Sequence, residues 1–294
     1  MTHKTSIHNF VQRYIKTLPT GFQWQNTPVQ IYPLEFISNY LVIPTPLLKA
    51  DYHFLVLLNS GSFSQQVGIE DYHVKSSSVI FVPEGEAFSI KSIHDKLSGY
   101  FILLENKSVS SAVSKLELSD LLTIETIIKL DSESNLWINN ICDLLYNEVS
   151  SKKPNRNIGT GLLQALLHKL KDLSGNKKTF SRQNEIANSF KQLINKHYKK
   201  QKSVEFYARE LSVSENYLNR CVKTQFNKSS KQIIQDTTIL QSQILMFSST
   251  YDISEICFQV GYDDPSYFSR LFKKVTGRTP TNFKKQVIYR STYS

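Results

Sequence analysis

Apolar residues near the start of the chain fall at Ile7, Phe10, Val11, Tyr14, Ile15 and Leu18, the i, i+3, i+4, i+7 spacing of an amphipathic helix. From Phe36 onward the pattern shortens to runs rich in Val, Ile, Phe and Tyr. Phe36–Ile43, Tyr52–Leu58, Ser64–Ile69, Ser78–Val82, Ala87–Ile90 and Tyr100–Leu104 read as strands, with Asn59-Ser60-Gly61, Glu70-Asp71 and Pro83-Glu84-Gly85 as turns. Short strands at such close spacing predict a small sandwich or jelly roll. From about Ser110 to Leu173 the period becomes helical. Trp137, Ile141, Leu144, Leu145 and Val149 form one face, and Ile158, Leu162, Leu163, Leu166, Leu170 and Leu173 form another. The polar stretch Ser174–Thr179 has no period and reads as a linker. Beyond it, everything to about Ile288 predicts helices separated by short turns. The expected chain is therefore α+β: a β-rich domain over 1–110, a helical segment over 111–173, a linker over 174–183 and an all-α domain over 184–290.

Charge sharpens this division. The 294 residues carry 35 Lys and Arg against 25 Asp and Glu, a net charge of +10. Residues 181–294 hold 18 of the basic and 9 of the acidic residues, so they account for +9 of that total. A neutral domain joined to a basic one is the pattern of a protein that meets a polyanion. The longest apolar run, Phe54 to Leu58, is too short to span a membrane, and the N-terminus shows no apolar signal segment. Cys142, Cys221 and Cys257 are widely spaced and form no CxxC pair, so they read as buried thiols in a reducing cytoplasm rather than as a disulfide framework or zinc site.

The basic half contains an internal repeat. Ala208-Arg209-Glu210-Leu211-Ser212-Val213, followed by Ser214 to Lys223, is echoed forty-nine residues later by Cys257 to Tyr262. With one extra turn residue, it is echoed again by Asp264 to Lys273 at an offset of fifty. Tyr217 pairs with Tyr267, Leu218 with Phe268, Arg220 with Arg270 and Lys223 with Lys273. Each copy reads as helix, tight turn, helix. Ser203 and Ser214 supply caps in the first; Gly261, a capping Asp263 or Asp264, and Pro265 at the first helical position do so in the second. Two helices joined by so short a turn form the helix-turn-helix unit, whose second helix enters the major groove. Lys231 to Phe247 reads as one helix connecting the two copies.

The stretch from Arg182 to Gln286 resembles the DNA-binding domain of the AraC/XylS family of bacterial transcription factors. The likeness is carried chiefly by Ile253 to Lys274 and by Gly277-Arg278-Thr279-Pro280, where Thr279 would cap a final helix that Pro280 begins. The chain departs from the family pattern at Thr238, where members usually have Arg, and at Ser242, where they have Ala. In the first unit Val222-Lys223-Thr224 stands for Phe-Lys-Lys, and Asn227 stands for Gly. The resemblance implies tandem helix-turn-helix units binding double-stranded promoter DNA. It places Asn216, Asn219 and Arg220 at base-facing positions of the first recognition helix. Pro265, Ser266, Ser269 and Arg270 form the corresponding face of the second. Lys223, Lys228, Lys273, Lys274 and Arg278 suit phosphates. Tyr217, Leu218, Tyr262, Phe268, Leu271 and Phe272, at helical spacing on the opposite side, suit core packing.

For the first half the resemblance implies a cupin-like barrel that senses a small molecule and a helix, Ile158–Leu173, that makes a homodimer; RNA polymerase is a further candidate partner. Metal-binding cupins carry a Pro-x-Gly-x-x-His run, and here Phe88 stands in the histidine's place. His53, His73 and His94 lie singly. No metal, cofactor or catalytic residue is assigned, and no G-x-S-x-G, P-loop, GxGxxG or H-E-x-x-H sequence is present. A metal-dependent cupin enzyme fused to a DNA-binding module is the competing class, and a regulator controlled by protein contacts alone is another. If the barrel holds a ligand, its interior is expected to be lined by Phe54, Val56, Leu58, Phe81, Phe88, Phe101 and Leu103; the same residues would serve a filled core.

Overall fold

The computed structural model describes residues 6–16, 25, 27, 29–105, 124–175 and 182–285. The chain divides into two compact units, 1–177 and 178–294.

The first unit begins with α1 (Ile7–Tyr14), the amphipathic helix its spacing predicts, and continues as β1 (Val29–Pro33), a single helical turn α2 (Leu34–Ile37) and β2 (Leu48–Lys49). Then come β3 (His53–Val67), β4 (Glu70–Lys75), β5 (Ser78–Val82), β6 (Ala87–Leu104) and β7 (Ile127–Lys129). All pairings are antiparallel, in the order β1-β6-β3-β5-β7, with β2 also on β6 and β4 also on β3. The 15-residue β3 and 18-residue β6 run side by side and change outer neighbours midway.

Several expected boundaries move. Asn59-Ser60-Gly61 is no turn: register shifts between Leu58 and Ser62 bend β3 there without reversing it, which joins two predicted strands into one. The reversal instead falls at Gly68-Ile69, so Glu70-Asp71 opens β4. Ala87–Ile90 and Tyr100–Leu104 likewise merge into β6. Phe36–Ile43 is helical turn and loop, not strand. Within the segment read as helical, Ile127–Lys129 forms a strand on β5.

Alternation along the long strands divides the apolar residues between two cores. Leu55, Leu57, Val79, Phe81, Ile102 and Leu104 face α3 (Ser132–Val149) and α4 (Arg156–Gly175). Phe54, Val56, Leu58, Ile80, Val82 and Leu103 face the other way, joined by Phe63, Val67 and Val74 from the far half of the sheet. Since both halves contribute to this second core, the sheet wraps around it. Phe81, expected in the interior, belongs to the helix side. On α4, Leu163, Leu166, Leu167 and Leu170 are buried against the sheet, leaving Ile158 exposed. Leu163, Leu166 and Leu170 of the face expected to pair two chains are thus covered within their own unit, while Leu162 and Leu173 are partly so.

The second unit is helical: α5 (Arg182–His197), α6 (Val204–Glu210), α7 (Glu215–Phe226), α8 (Ser230–Ser248), α9 (Ile253–Gln259) and α10 (Pro265–Thr276), then a helical segment over 280–285. The caps are side-chain oxygens accepting from the first turn: Ser203 from Phe206, Ser214 from Tyr217, Ser229 from Gln232, Asp252 from Glu255 and Asp264 from Ser266. Thr279 Oγ1 accepts from the Asn282 amide at 3.3 Å, and Pro280 begins the last helical segment. Leu218, Cys221, Val222, Ile256, Phe268 and Phe272 pack inside with at most 1% exposure.

Candidate nucleic-acid interface

The duplicated sequence folds into two helix-turn-helix units, α6–α7 and α9–α10, bridged by α8. At 1.5 Å per residue the 19-residue α8 is roughly 28 Å long, comparable to the ~34 Å between successive turns of a major groove. The second helix of each unit buries one stripe and exposes the other. On α7 the exposed residues include Glu215, Asn216, Arg220 and Lys223; on α10 they include Ser266, Arg270, Lys273 and Lys274, with Tyr267 and Val275 also partly open to solvent. Arg278 is also exposed, and Ser269 is half-buried. Lys273, Arg278, Thr279, Asn282 and Lys285 line an open groove at the C-terminal end of α10. The Arg220 guanidinium lies 4.9 Å from the centre of the Tyr217 ring, a cation–π contact on the exposed side of the helix. Of the residues assigned to packing, Leu218, Phe268, Leu271 and Phe272 are buried, whereas Tyr217 and Tyr262 are half-buried.

Asn219 is placed differently from its neighbours. It is half-buried, and its Oδ1 accepts the backbone N–H of Ser230 at 3.0 Å, tying α7 to the start of α8. The repeat explains why. Fifty residues on, Ser230 becomes Pro280, which has no N–H to satisfy, and Asn219 becomes Ser269. Lys228 is likewise occupied, with its ammonium 3.1 Å from the Asp236 carboxylate.

The turns show a second asymmetry. Both units need a left-handed residue in the turn and another after the recognition helix. The second unit uses Gly261 (φ 82°) and Gly277 (φ 75°), the first Ser212 (φ 54°) and Asn227 (φ 53°). Gly261 has no alternative, because a Cβ there would stand 1.7 Å from the Lys199 carbonyl oxygen. Ser212 is exposed, and its side chain is accommodated.

A half-buried cation joins these parts. Lys202 donates to the carbonyls of Tyr198 and Val260 and lies 3.4 Å from Thr238 Oγ1, with the Tyr262 ring centre 4.7 Å away. Burial pushes its ammonium pKa down to about 8. Thr238 of α8 is fully buried, and the cation at this junction comes from the segment before α6. Ser242 is also fully buried and returns its hydroxyl to the Ile239 carbonyl.

In the first unit, the second core has a cavity of about 60 Å³. Twelve of its fifteen lining residues have hydrocarbon side chains, including Phe10 of α1, Phe54, Val56, Phe88 and Phe101; Ser38, Tyr52 and Gln65 are the others. Gln65 is 1% exposed, and its Nε2 has no hydrogen-bond partner. Sequence reasoning named no polar ligand-lining residue. The signal was the alternation Phe63-x-Gln65-x-Val67, which turns one amide toward an otherwise apolar interior. His73 and His94 meet with ring centres 6.0 Å apart, while His53 stacks on Phe81 elsewhere. Among the described residues, no group of three or more His, Cys, Asp or Glu side chains is arranged to hold a metal.

Residues 207–286 match the family described as a helix-turn-helix domain. The Msm operon regulatory protein of Streptococcus mutans is 30% identical over 126 residues, 43% of this chain and 45% of that protein. The lactose operon transcription activator of Staphylococcus xylosus is 27% identical over 243 residues, 80% of this chain and 82% of that one. Among solved structures, ToxT from Vibrio cholerae aligns over 87% of this chain and 97% of its own at 15% identity, with a TM-score of 0.45.

Proposed function

We propose that this chain, a transcriptional regulator of the AraC type by its C-terminal helix-turn-helix domain, reads promoter DNA with both units and places that reading under the control of its first unit. The observation that carries the proposal is the pair of matched arginines, Arg220 and Arg270, exposed at equivalent points of α7 and α10. Each suits bidentate recognition of guanine, and Asn216 suits adenine. Ser266 and Ser269 are too short to reach far, so Arg270 dominates its helix. Lys223, Lys273, Lys274 and Arg278 fit phosphate contacts and counterion release. Asn219, base-facing by family pattern, acts here by fixing the α7–α8 junction: its carbonyl is engaged by Ser230, leaving it poorly suited to bidentate contact with a base. The competing enzyme reading has no arranged metal ligands among the described residues to support it.

Selection of bound sequences from random duplex DNA by the full chain tests this reading. Two enriched blocks about one helical turn apart are expected. Arg220→Ala should blur one block and Arg270→Ala the other, each at a cost of about 1–3 kcal/mol for its preferred base. Salt-sensitive binding with no enriched sequence would overturn the reading.

A further inference from the structure

The cavity in the first unit has a chemistry that limits what can fill it. Among the described residues its lining contains no Lys, Arg, His, Asp or Glu, so a carboxylate or an amine would enter without a counter-charge from them and lose its hydration uncompensated. A sugar fares little better, because each hydroxyl needs a partner and the side chains offer only Gln65, Ser38 and Tyr52. Water is also a poor occupant: a buried water needs two to four polar partners, and apolar cavities stay dry. Yet the Gln65 amide is buried with its Nε2 unpartnered, a donor for which no described residue supplies an acceptor. A register shift between Ser64 and Gln65 sits immediately beside it, the kind of irregularity that re-aims a side chain. The cavity, about 60 Å³ and partly open, has Phe10 of α1 in its lining, so a guest that enters it packs against that helix.

We propose that this cavity is a ligand site for a small, neutral, mainly apolar molecule bearing one hydrogen-bond acceptor, a ketone, aldehyde or ester carbonyl, which docks on the Gln65 amide. The assignment rests on the reading of the first unit as a sensor and names the class of molecule sensed. The apolar body replaces empty space against Phe54, Phe88 and Phe101, and the carbonyl accepts from Gln65 Nε2. Affinity alone does not diagnose this contact, since a hydrocarbon leaves water more readily than a ketone. The diagnostic quantity is how the preference between the two changes when the amide is removed.

Cyclopentanone and methylenecyclopentane differ only in C=O against C=CH₂. Their dissociation constants are measured by ligand-observed NMR on the full chain, wild type, Gln65→Leu and Gln65→Met. The ratio favouring cyclopentanone is expected to fall about tenfold in both variants, the effect of one neutral hydrogen bond and its desolvation. An unchanged ratio, binding of neither probe to the wild type, or tighter binding of L-arabinose than of cyclopentanone would overturn the proposal. Should the variants fail to fold, the wild type still decides. The Gln65 side-chain amide resonance must shift with cyclopentanone and not with methylenecyclopentane, and equal shifts would overturn the assignment. The sequence selection on duplex DNA is independent: enriched blocks without probe binding would sink this inference alone, whereas probe binding without enrichment would sink the regulator reading.

Discussion

Gln65, flanked inward by Phe63 and Val67, carries the desolvation cost of an unpaired amide in the empty protein, about 1–3 kcal/mol. Gln65→Leu keeps much of the volume and removes that cost, so the first unit should become more stable by about 1–2 kcal/mol in urea unfolding of the full chain. A loss of stability would mean that the amide has a partner in solution. Gly261 and Ser212 make an opposed pair. Gly261→Ala drives a methyl into the Lys199 carbonyl and should destabilise the second unit by about 3 kcal/mol or more. Ser212→Gly relieves an exposed left-handed serine and should stabilise the same unit, 178–294, by a few tenths to about 1 kcal/mol. Thermal unfolding of the two variants checks both signs together.

Among elements, the helices of the second unit were the most legible part of the sequence. Ser203, Ser214, Asp264, Pro265, Thr279 and Pro280 each stand where they were read, because capping is local chemistry that depends on a few neighbouring residues. The long strands were not legible. Residues Lys91 to Lys96 of β6 are mostly polar and exposed, so no apolar alternation marks them, and only the ladder with β3 makes them strand. The role of Asn219 was hidden for a related reason: it depends on a partner eleven residues away whose counterpart in the repeat is a proline. Lys202 joins three elements by a half-buried charge, which makes the junction sensitive to pH. Its folded pKa of about 8 lies below its usual 10.5. Between those values the unfolded chain holds the proton and the folded chain does not, so stability rises with pH across that window. The neighbouring phenols of Tyr198 and Tyr262 are pushed up by burial, and they oppose this only as the pH passes about 10. Between pH 7.5 and 9.5, wild type should therefore gain melting temperature relative to Lys202→Met. A constant gap would show that the ammonium is better solvated than its burial implies.

For the molecule as a whole, the packing of α4 changes what a dimerisation experiment can mean. Leu163 is fully buried against the sheet, so Leu163→Ala should cost the first unit about 2–5 kcal/mol whether the chain is alone or paired. Ile158, exposed on the same helix, is the position at which Ile158→Lys should alter self-association in sedimentation without unfolding. Loss of pairing with unchanged stability in Leu163→Ala would contradict this packing. The alternation of β3, β5 and β6 has a mechanical consequence of its own. These strands form a wall one residue thick, with Phe54 and Val56 on its cavity side and Leu55 and Leu57 on its helix side. Interiors this dense transmit displacement instead of absorbing it. A guest that pushes on one side of the wall thus presses on the seats of α3 and α4 through a shared backbone, and no hinge is needed for those helices to register that the cavity is full.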